Sequence, residues 1–300
     1  MKVAHIIIFH EDPAGVERLL KAMFHPDFDF YLHLDKKVDM GPYSYLAELP
    51  NVTFIKNRKL VNWGGFSQVE ASLNSITEIV ASGKEYEFIN LLSGQDYPIK
   101  PASYIHEFLS RKRGLSFMMS ESAPSDWWNH ATSRFSRYHL VDYQFKGKFR
   151  LGKLISNILP ERKFPLQVDL FGGPHSAYWT MNIIAARYII KKINKHDKHW
   201  QFYQHTWGSD EFLMNTILMN SPLKHTIVNE NFHLMDRSMG GARPKVLTVH
   251  DFEMLQSSKK FFARKLDSAR DHKILNMIDE LLLFQAPQQN QPQKRTLSES

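Results

Sequence analysis

The sequence predicts an α/β fold with a central, mostly parallel sheet flanked by helices. Residues 1–120 alternate short β-rich runs with segments of helical periodicity, a pattern typical of βαβ units. The chain has 300 residues, of which 43% are hydrophobic and 23% charged. This length is enough for a large core in one domain or two smaller ones, and the composition excludes disorder, collagen-like repeats and small disulfide-rich scaffolds.

The first half of the chain begins with an apolar run, Val3–Phe9, that predicts a strand. Asp12 is of the residue type of a helix N-cap and Pro13 suits the first helical position, so we expect a helix that stops at His25-Pro26. The sequence further predicts strands at residues 30–34, 52–55, 86–92 and 115–119, and helices at residues 69–80 and 103–112. A polar turn, residues 93–98, follows the strand at 86–92, and open α/β sheets bind ligands at such strand ends.

The second half of the sequence is less regular. Residues 121–166 lose clear periodicity, which indicates long loops and short helices over a site. The pattern then predicts a strand at 176–181, helices at 183–193 and 210–219, and a final amphipathic helix around residues 274–282. From residue 285 to residue 300 the composition turns to Gln, Pro, Asn and Ser, which predicts a disordered tail.

The charge and the absence of cysteine exclude several classes of function. Lys and Arg number 38 against 31 Asp and Glu, a formal charge of +7, and cysteine is absent. Disulfides, thiolate zinc sites and thiol nucleophiles are therefore excluded, which suits a reducing compartment. The N-terminal apolar stretch is too short for a signal peptide or a membrane anchor. No nucleic-acid-binding motif accompanies the positive charge.

The sequence lacks the common phosphate-binding and metalloprotease motifs, G-x-x-x-x-G-K-[ST], strand-following G-x-G-x-x-G and H-E-x-x-H, and also G-x-S-x-G. Asp27-Phe28-Asp29 matches the D-x-D pattern of many nucleotide-sugar enzymes, but it precedes a strand instead of ending one, and a turn is the better interpretation. The 15 histidines are scattered along the chain without metal-ligand spacing. We therefore predict no metal site.

Five ordered segments carry a resemblance to a known family. They read HLDKK at 33–37, NWGG at 62–65, SGQDYP at 93–98, TWGSDE at 206–211 and FFARKLD at 261–267. Together they resemble the core-2/I-branching β-1,6-N-acetylglucosaminyltransferase family, with the related peptide O-xylosyltransferases, over residues 2–267.

The resemblance implies a GT-A-like fold, a UDP-sugar donor as co-substrate, inversion at the anomeric carbon and no metal or other cofactor. The expected activity is transfer of N-acetylglucosamine to a glycan hydroxyl. UDP-xylose is the alternative donor, and a non-catalytic carbohydrate-binding protein is the alternative of another class. The expected organisation is a single domain over 1–284, with a nucleotide-binding half (1–120) and an acceptor and catalytic half (121–284).

Glu211 matches the family's catalytic glutamate. A sugar hydroxyl becomes a nucleophile when a carboxylate takes its proton, and a Glu in the first turn of a helix is kept ionised by the helix dipole. The same physics also allows a merely structural acidic residue. Gly208-Ser209-Asp210-Glu211 departs from the family's Ser-Pro-Asp-Glu by losing the proline, which leaves the local turn open.

The resemblance also implies residues for the donor and the acceptor. Lys265 matches the lysine that holds the diphosphate, with Arg264 beside it and either Arg243 or Lys245 as the upstream cation. Other residues expected at the donor or in the acceptor pocket are Phe9, His10 and Asp35 near uridine, Gln95 and Asp96 near donor or acceptor, and Glu121 and Trp207 at the acceptor. For each of them, a structural role in a turn, a core or a solvated face is the alternative.

The stretch 146–163 is strongly basic, with Lys146, Lys148, Arg150, Lys153, Arg162 and Lys163 against Glu161. We hypothesise that it meets an anionic membrane surface or a lipid-linked glycan acceptor. The setting that the resemblance implies is cytoplasmic, in polysaccharide biosynthesis, with peripheral contact at the inner membrane face.

Overall fold

The structure of the protein is a computed structural model that describes residues 1–121, 124–165, 168–240 and 243–288. The described chain forms two compact units that share the sequence in alternating segments. Unit 1 comprises Met1–Glu11, Phe28–Gly94 and Arg113–Asn231, and unit 2 comprises Asp12–Asp27, Gln95–Lys112 and the part that begins at Phe232. This division does not follow the predicted halves 1–120 and 121–284.

The strands, in chain order, are β1 (Val3–Phe9), β2 (Phe28–Leu34), β3 (Val52–Phe54), β4 (Phe88–Ser93), β5 (Tyr97–Pro98), β6 (Ser116–Met118), β7 (Trp179–Asn182), β8 (Ile227–Val228), β9 (His233–Met235) and β10 (Phe262–Arg264). The α-helices are α1 (Pro13–Ala22), α2 (Ser67–Ala81), α3 (Ala102–Ser110), α4 (Asp126–Ser136), α5 (Lys148–Ile158), α6 (Ile183–Lys192), α7 (Lys198–Gln204), α8 (Leu213–Met219), α9 (Phe252–Ser257) and α10 (His272–Gln288). Short 3-10 turns occur at Gly41–Glu48, Ser209–Glu211, Lys224–Thr226 and Val249–Asp251.

Unit 1 is built on a seven-stranded sheet in the order β3-β2-β1-β4-β7-β6-β8. Its strands pair in parallel except β7, which is antiparallel to both β4 and β6. The predicted α/β class with a mostly parallel central sheet is confirmed. β1 and β2 are mostly apolar and buried almost throughout, as expected for strands covered on both faces.

The core of unit 1 lies between this sheet and helices α2 and α6. Val69, Leu73 and Ile76, spaced by three and four residues along α2, join Ile6 of β1 and Ala186 of α6 in one buried cluster. Burying this apolar face is what stabilises the helix, because a 15-residue peptide alone is marginal in water.

A buried polar chain crosses the sheet of unit 1. Asn90 of β4 lies opposite His5 of β1, with 3.0 Å between Asn90 Nδ2 and His5 Nδ1, and Thr180 of β7 donates to Asn90 Oδ1 at 2.8 Å. Hydrogen bonds of this kind satisfy polar atoms that burial has removed from water, so they oppose slippage of the strand register.

Unit 2 contains a small sheet in the order β5-β10-β9, in which β10 is antiparallel to β5 and parallel to β9. Asp279 of α10 accepts hydrogen bonds from Tyr97 Oη at 2.6 Å and from Arg18 at 2.7 and 2.9 Å. These bonds tie α1 and β5 to the last helix. Asp12 caps α1 as predicted, since its Oδ1 accepts from the amide of Gly15 at 2.8 Å.

Several predicted boundaries are wrong by a few residues. The helix predicted at 210–219 is interrupted: a 3-10 turn covers Ser209–Glu211 and α8 begins at Leu213. Residues 121–166 contain two eleven-residue helices, α4 and α5. Asp29, assigned to a turn, is the second residue of β2, where its buried carboxylate accepts from Lys84 at 2.8 Å and Tyr86 at 2.6 Å.

The predicted tail at 285–300 overlaps the end of α10, which runs to Gln288. Residues 289–300 lie outside the described residues. Among the helices that the structure describes, none combines the length and the apolarity that crossing a bilayer requires.

Candidate functional site

Glu211 ends a 3-10 turn that follows a left-handed glycine in unit 1. Gly208 has φ +66°, and its amide donates to the carbonyl of Gly64 at 2.8 Å. The left-handed backbone conformation favours glycine at position 208. The prediction that Glu211 lies in the first turn of an α-helix is therefore wrong, because α8 begins two residues later.

The side chain of Glu211 is held by Arg134 of α4. Arg134 Nη1 donates a hydrogen bond to Glu211 Oε2, and the two side chains are only 21% and 16% exposed. The guanidinium carbon lies 4.6 Å from the ring centroid of Trp207 and 5.7 Å from that of Trp127. Ion pair and ring contacts together hold both charged groups in one orientation.

No pattern in the sequence indicates a role for Arg134. It lies 77 residues before Glu211, in a stretch without clear periodicity, and its neighbours Ser133 and Phe135 give no local sign of a partner. Placing an arginine beside a distant carboxylate requires knowledge of the tertiary contacts of α4.

The NWGG segment of the resemblance packs against the turn that leads to Glu211. Gly64 has φ +73°, and a Cβ on this residue would lie 2.7 Å from Nε1 of Trp207. Trp63 also contacts the Trp207 ring, with centroids 5.1 Å apart. A glycine is required at 64 both by its backbone conformation and by this close approach, so the segment shapes the site without itself carrying chemistry.

Glu121 reaches the same region through Gly172. The amide of Glu121 donates to the carbonyl of Gly172 at 2.8 Å, and Trp128 Nε1 donates to the carbonyl of Glu121 at 2.8 Å. A Cβ on Gly172 would lie 2.6 Å from the backbone oxygen of Glu211. Two of the predicted site residues, Glu121 and Glu211, therefore have backbone atoms close to the same glycine.

Asp210, the other acid of the turn, has an altered protonation equilibrium. Loss of hydration among the surrounding protein atoms raises its pKa to about 6, and nearby backbone amides and Arg134 only partly offset this. Its neighbour Glu211 receives the direct bond from Arg134, so the two adjacent carboxylates have different surroundings.

The predicted uridine residues lie at the ends of β1 and β2. Phe9 is buried with its ring 5.7 Å from that of Tyr43, and His10 is exposed. Asp35 is buried, and its oxygens accept from the amides of Lys37 at 3.0 Å and Val61 at 3.2 Å. These are the contacts of a turn residue, and a role toward uridine stays a prediction.

The predicted diphosphate residues belong to unit 2. Arg264 Nε lies 3.7 Å from Oδ1 of the buried Asp96, and the amide of Leu266 donates to the carbonyl of Gln95 at 3.0 Å. Residues 95–96 thus adjoin the Arg264-Lys265 segment. Trp207, in contrast, belongs to unit 1 with Glu211.

Lys245 differs from the other predicted diphosphate residues because two carboxylates already compensate its charge. Its Nζ donates to Asp251 Oδ1 at 2.6 Å and lies 3.7 Å from Asp236 Oδ2. The bond to Asp251 raises the pKa of Lys245. Arg243, the alternative upstream cation, is exposed.

Three residues of unit 2 form the one group in the described chain that has the composition and spacing of metal ligands. Each of His25, Asp27 and His106 offers one ligand atom, and these atoms lie within 4.8 Å of one another. His106 Nε2 is 2.8 Å from Asp27 Oδ2, and the two imidazole rings stack at 4.2 Å. The histidines are therefore not all scattered in space, although their sequence spacing gave no sign of this.

Residues 3–259 match the model of a family described as Core-2/I-Branching enzyme. The chain belongs to this family. The resemblance stated from the five segments is confirmed, and so is the GT-A-like α/β fold that membership in the Core-2/I-branching family implies.

The curated relatives of this Core-2/I-branching chain include several xylosyltransferases. Xylosyltransferase 1 of Rattus norvegicus is 25% identical over 96% of this chain and 36% of its own length. Xylosyltransferase 2 of Rattus norvegicus is 27% identical (93% and 33%), and the xylosyltransferase of Ciona intestinalis is 26% identical (93% and 34%). The chain spans about a third of the length of these relatives.

Similar solved structures include the apo form of mouse xyloside xylosyltransferase 1, which is 13% identical over 87% of this chain and 97% of that chain, with a TM-score of 0.40. A second is a putative glucose-1-phosphate thymidylyltransferase from Bacillus anthracis, 10% identical over 93% of this chain and 95% of that chain, with a TM-score of 0.37. Neither of these two structures superposes closely on this chain.

Proposed function

We propose that the protein is an inverting glycosyltransferase that moves a sugar from a UDP-sugar to a glycan hydroxyl without a divalent metal. The observation that carries this proposal is the Glu211 turn, where a carboxylate is oriented by Arg134 in a chain of the Core-2/I-branching family. A fixed, partly exposed carboxylate is what general-base catalysis requires.

In the proposed reaction, Glu211 takes the proton of the acceptor hydroxyl as that oxygen attacks the anomeric carbon. The bond from this carbon to the UDP oxygen breaks on the opposite side, and UDP leaves with the bonding electrons. Arg134 keeps the carboxylate in place and compensates its charge before the proton arrives.

The negative charge that develops on UDP is assigned to Lys265 and Arg264, with an upstream cation. Either Arg243 or Lys245 is proposed for the upstream role, and Lys245 also binds Asp251 and lies near Asp236. Asp96 orients Arg264 through their 3.7 Å contact, so Asp96 is proposed to act on the donor through this arginine.

The donor is proposed to be UDP-N-acetylglucosamine, with Phe9, His10 and Asp35 near the uridine and Gln95 beside the diphosphate segment. The curated relatives are named xylosyltransferases, and this favours UDP-xylose as the second candidate. Glu121 and Trp207 are proposed to contact the acceptor, since a carboxylate can accept from two hydroxyls and an indole ring packs on sugar C–H groups.

Peripheral contact with an anionic membrane, or with a lipid-linked acceptor, is proposed for α5. Leu151, Leu154 and Ile158 share one face of this helix and are 41%, 54% and 72% exposed. Of the six cations in the stretch, Lys148 donates to the carbonyl of Val141 at 2.5 Å and Arg162 to the carbonyl of His205 at 2.7 Å. Lys146, Arg150 and Lys163 are proposed to meet anionic headgroups.

The activity is tested by UDP release from UDP-N-acetylglucosamine and UDP-xylose, with a panel of glycan and peptide acceptors. We expect Glu211→Gln to lower turnover about 10² to 10⁴-fold while UDP binding persists. Glu253→Gln, an exposed acid of α9, is the matched control. Binding without turnover in every pairing would instead support a non-catalytic carbohydrate-binding protein.

Metal independence is tested by running the same assay in EDTA and with added Mg²⁺, Mn²⁺ or Zn²⁺. We expect equal turnover in all conditions, in wild type and in His106→Ala. Loss of turnover in EDTA would overturn the metal-free mechanism. Loss in EDTA of wild type together with inactivity of His106→Ala would point to the His25, Asp27 and His106 group.

The membrane proposal is tested by co-sedimentation with phosphatidylglycerol vesicles and with phosphatidylcholine vesicles. We expect binding to the anionic vesicles only, and its loss in Arg150→Glu and in Ile158→Asp. Binding that these two changes leave intact would remove the proposal for α5.

A further inference from the structure

A cavity of about 540 Å³ opens in unit 1 beside the Arg134–Glu211 pair. Its volume is in the range of about 300–1,000 Å³ that is usual for small-molecule sites. Arg134 and Trp207 line it, and Arg134 is also the residue that donates a hydrogen bond to Glu211. The cavity therefore adjoins the arginine that binds the proposed general base.

The charged side chains that line this cavity are all cationic. Arg134, Arg137 and Lys153 line it, and of the described residues that form its wall none is acidic. The charge of Arg134 is compensated by Glu211. For Arg137 and Lys153, both exposed, no ion pair is found within the part of the chain that the structure describes, so two cationic groups face the cavity with their charge uncompensated.

The rest of the wall suits a sugar. Trp207, Tyr138 and Phe149 contribute aromatic rings, whose flat faces pack on the C–H groups of a pyranose. Phe149, Gly152 and Lys153 come from the side of α5 opposite to Leu154 and Ile158, because residues three and four apart share a face. The cavity and the exposed apolar face of α5 are thus separate features.

We propose that this cavity binds an acceptor sugar that carries an anionic group, a carboxylate or a phosphate, and that Arg137 and Lys153 recognise that group. The inference rests on the proposed function, since it names the class of acceptor for the same reaction. A uronic acid supplies the carboxylate, and a phosphorylated sugar supplies the phosphate. Both accept charge-assisted hydrogen bonds from guanidinium and ammonium groups.

The test measures saccharide binding to the full chain by ligand-observed NMR, in saturating UDP so that cations at the donor site are occupied. The carboxylate arm compares cellobiouronic acid with cellobiose, and the phosphate arm compares glucose 6-phosphate with glucose. We expect at least one anionic probe to bind about tenfold more tightly than its neutral partner, which is the usual effect of one charge-assisted hydrogen bond.

The preference is expected to disappear in the double variant Arg137→Gln, Lys153→Gln and to persist in the matched control Lys191→Gln, Arg187→Gln on α6. Equal binding of anionic and neutral probes to wild type, or a preference that survives in the double variant, would overturn the proposal. UDP binding, measured in the same samples, separates the two proposals. Absence of UDP binding counts against the glycosyltransferase. The ratio of affinities between each anionic saccharide and its neutral partner tests the anionic acceptor.

Discussion

Arg134 donates a hydrogen bond to Glu211 while its guanidinium lies 4.6 Å from the centroid of the Trp207 ring. The two charged residues are 77 positions apart, on α4 and on the turn before α8. A planar cation that is held on an aromatic ring has little freedom to turn away from the carboxylate. The orientation of Glu211 therefore depends on a residue that does not itself exchange a proton.

Replacing Arg134 tests this dependence. We expect Arg134→Met to lower kcat at least tenfold with little change in the KM for the UDP-sugar, because the carboxylate loses its orientation but the donor residues are untouched. Arg134→Lys keeps the positive charge and loses the planar contact, so its kcat should lie between those of wild type and Arg134→Met. Arg187→Met, an exposed arginine of α6, is the control. An unchanged kcat in Arg134→Met would contradict a positioning role.

Gly172→Ala should lower activity without unfolding the protein. The new methyl would lie 2.6 Å from the backbone oxygen of Glu211 and 2.9 Å from Phe212, so the turn must shift. We expect at least a tenfold loss of kcat, since small displacements of a catalytic group are costly. Circular dichroism checks the fold, and Gly41→Ala is the control, because Gly41 is exposed, has no positive φ and its new Cβ would approach only the Asp39 side chain.

Lys265→Met tests stabilisation of the departing diphosphate. We expect kcat/KM to fall about 10²-fold, the loss that is typical when one electrostatic contact to a developing charge is removed. Lys259→Met, an exposed lysine six residues earlier, should leave kcat/KM unchanged. Equal behaviour of the two variants in steady-state kinetics would contradict the role of Lys265 toward the diphosphate.

The buried His33 predicts how stability depends on pH. Burial lowers its pKa to about 4 from an ordinary 6.5, and Nε2 accepts from the amide of Lys59 at 3.0 Å. The folded state therefore binds fewer protons than the unfolded state between these values. The contribution of His33 to stability is complete above pH 6.5 and is lost as the pH falls toward 4, by about 3 kcal/mol at most.

Urea denaturation of wild type and His33→Gln at pH 7.5 and pH 4.5 measures this contribution. A glutamine oxygen can still accept from the Lys59 amide, so the variant should fold. We expect the free energy of unfolding to fall less on acidification in the variant than in wild type, and His10→Gln, at an exposed position, to behave as wild type. Parallel losses in all three proteins would exclude this role for His33.

The main sheet of unit 1 was predictable because β1, β2 and β4 are mostly apolar runs bounded by polar residues or glycine. The small sheet of unit 2 was missed. Strands such as Tyr97–Pro98 and Phe262–Arg264 are two or three residues long, too short for any periodicity, and they are held by pairing between segments far apart in sequence.

The residues of the candidate site also differ in how far the sequence predicts them. Glu211 and Lys265 were found because each lies in a segment with a recognisable pattern, and their roles stay predictions. Arg134 and the cluster of His25, Asp27 and His106 depend on which helix or loop packs beside which, and such contacts leave no local trace. The segment at 62–65 is recognisable in the sequence, but the reason for glycine at positions 64 and 172 lies in the atoms that a Cβ would contact, and the sequence does not show them.

Each unit is assembled from three separate segments of the chain, so neither unit can be produced as one continuous fragment. The polypeptide crosses from one unit to the other five times. No single cleavage can release either unit intact, and a shortened version that starts at residue 113 would lack β1, β2 and β4, the middle of the larger sheet. Biochemical dissection will have to proceed by point substitution or by rejoining segments in a new order.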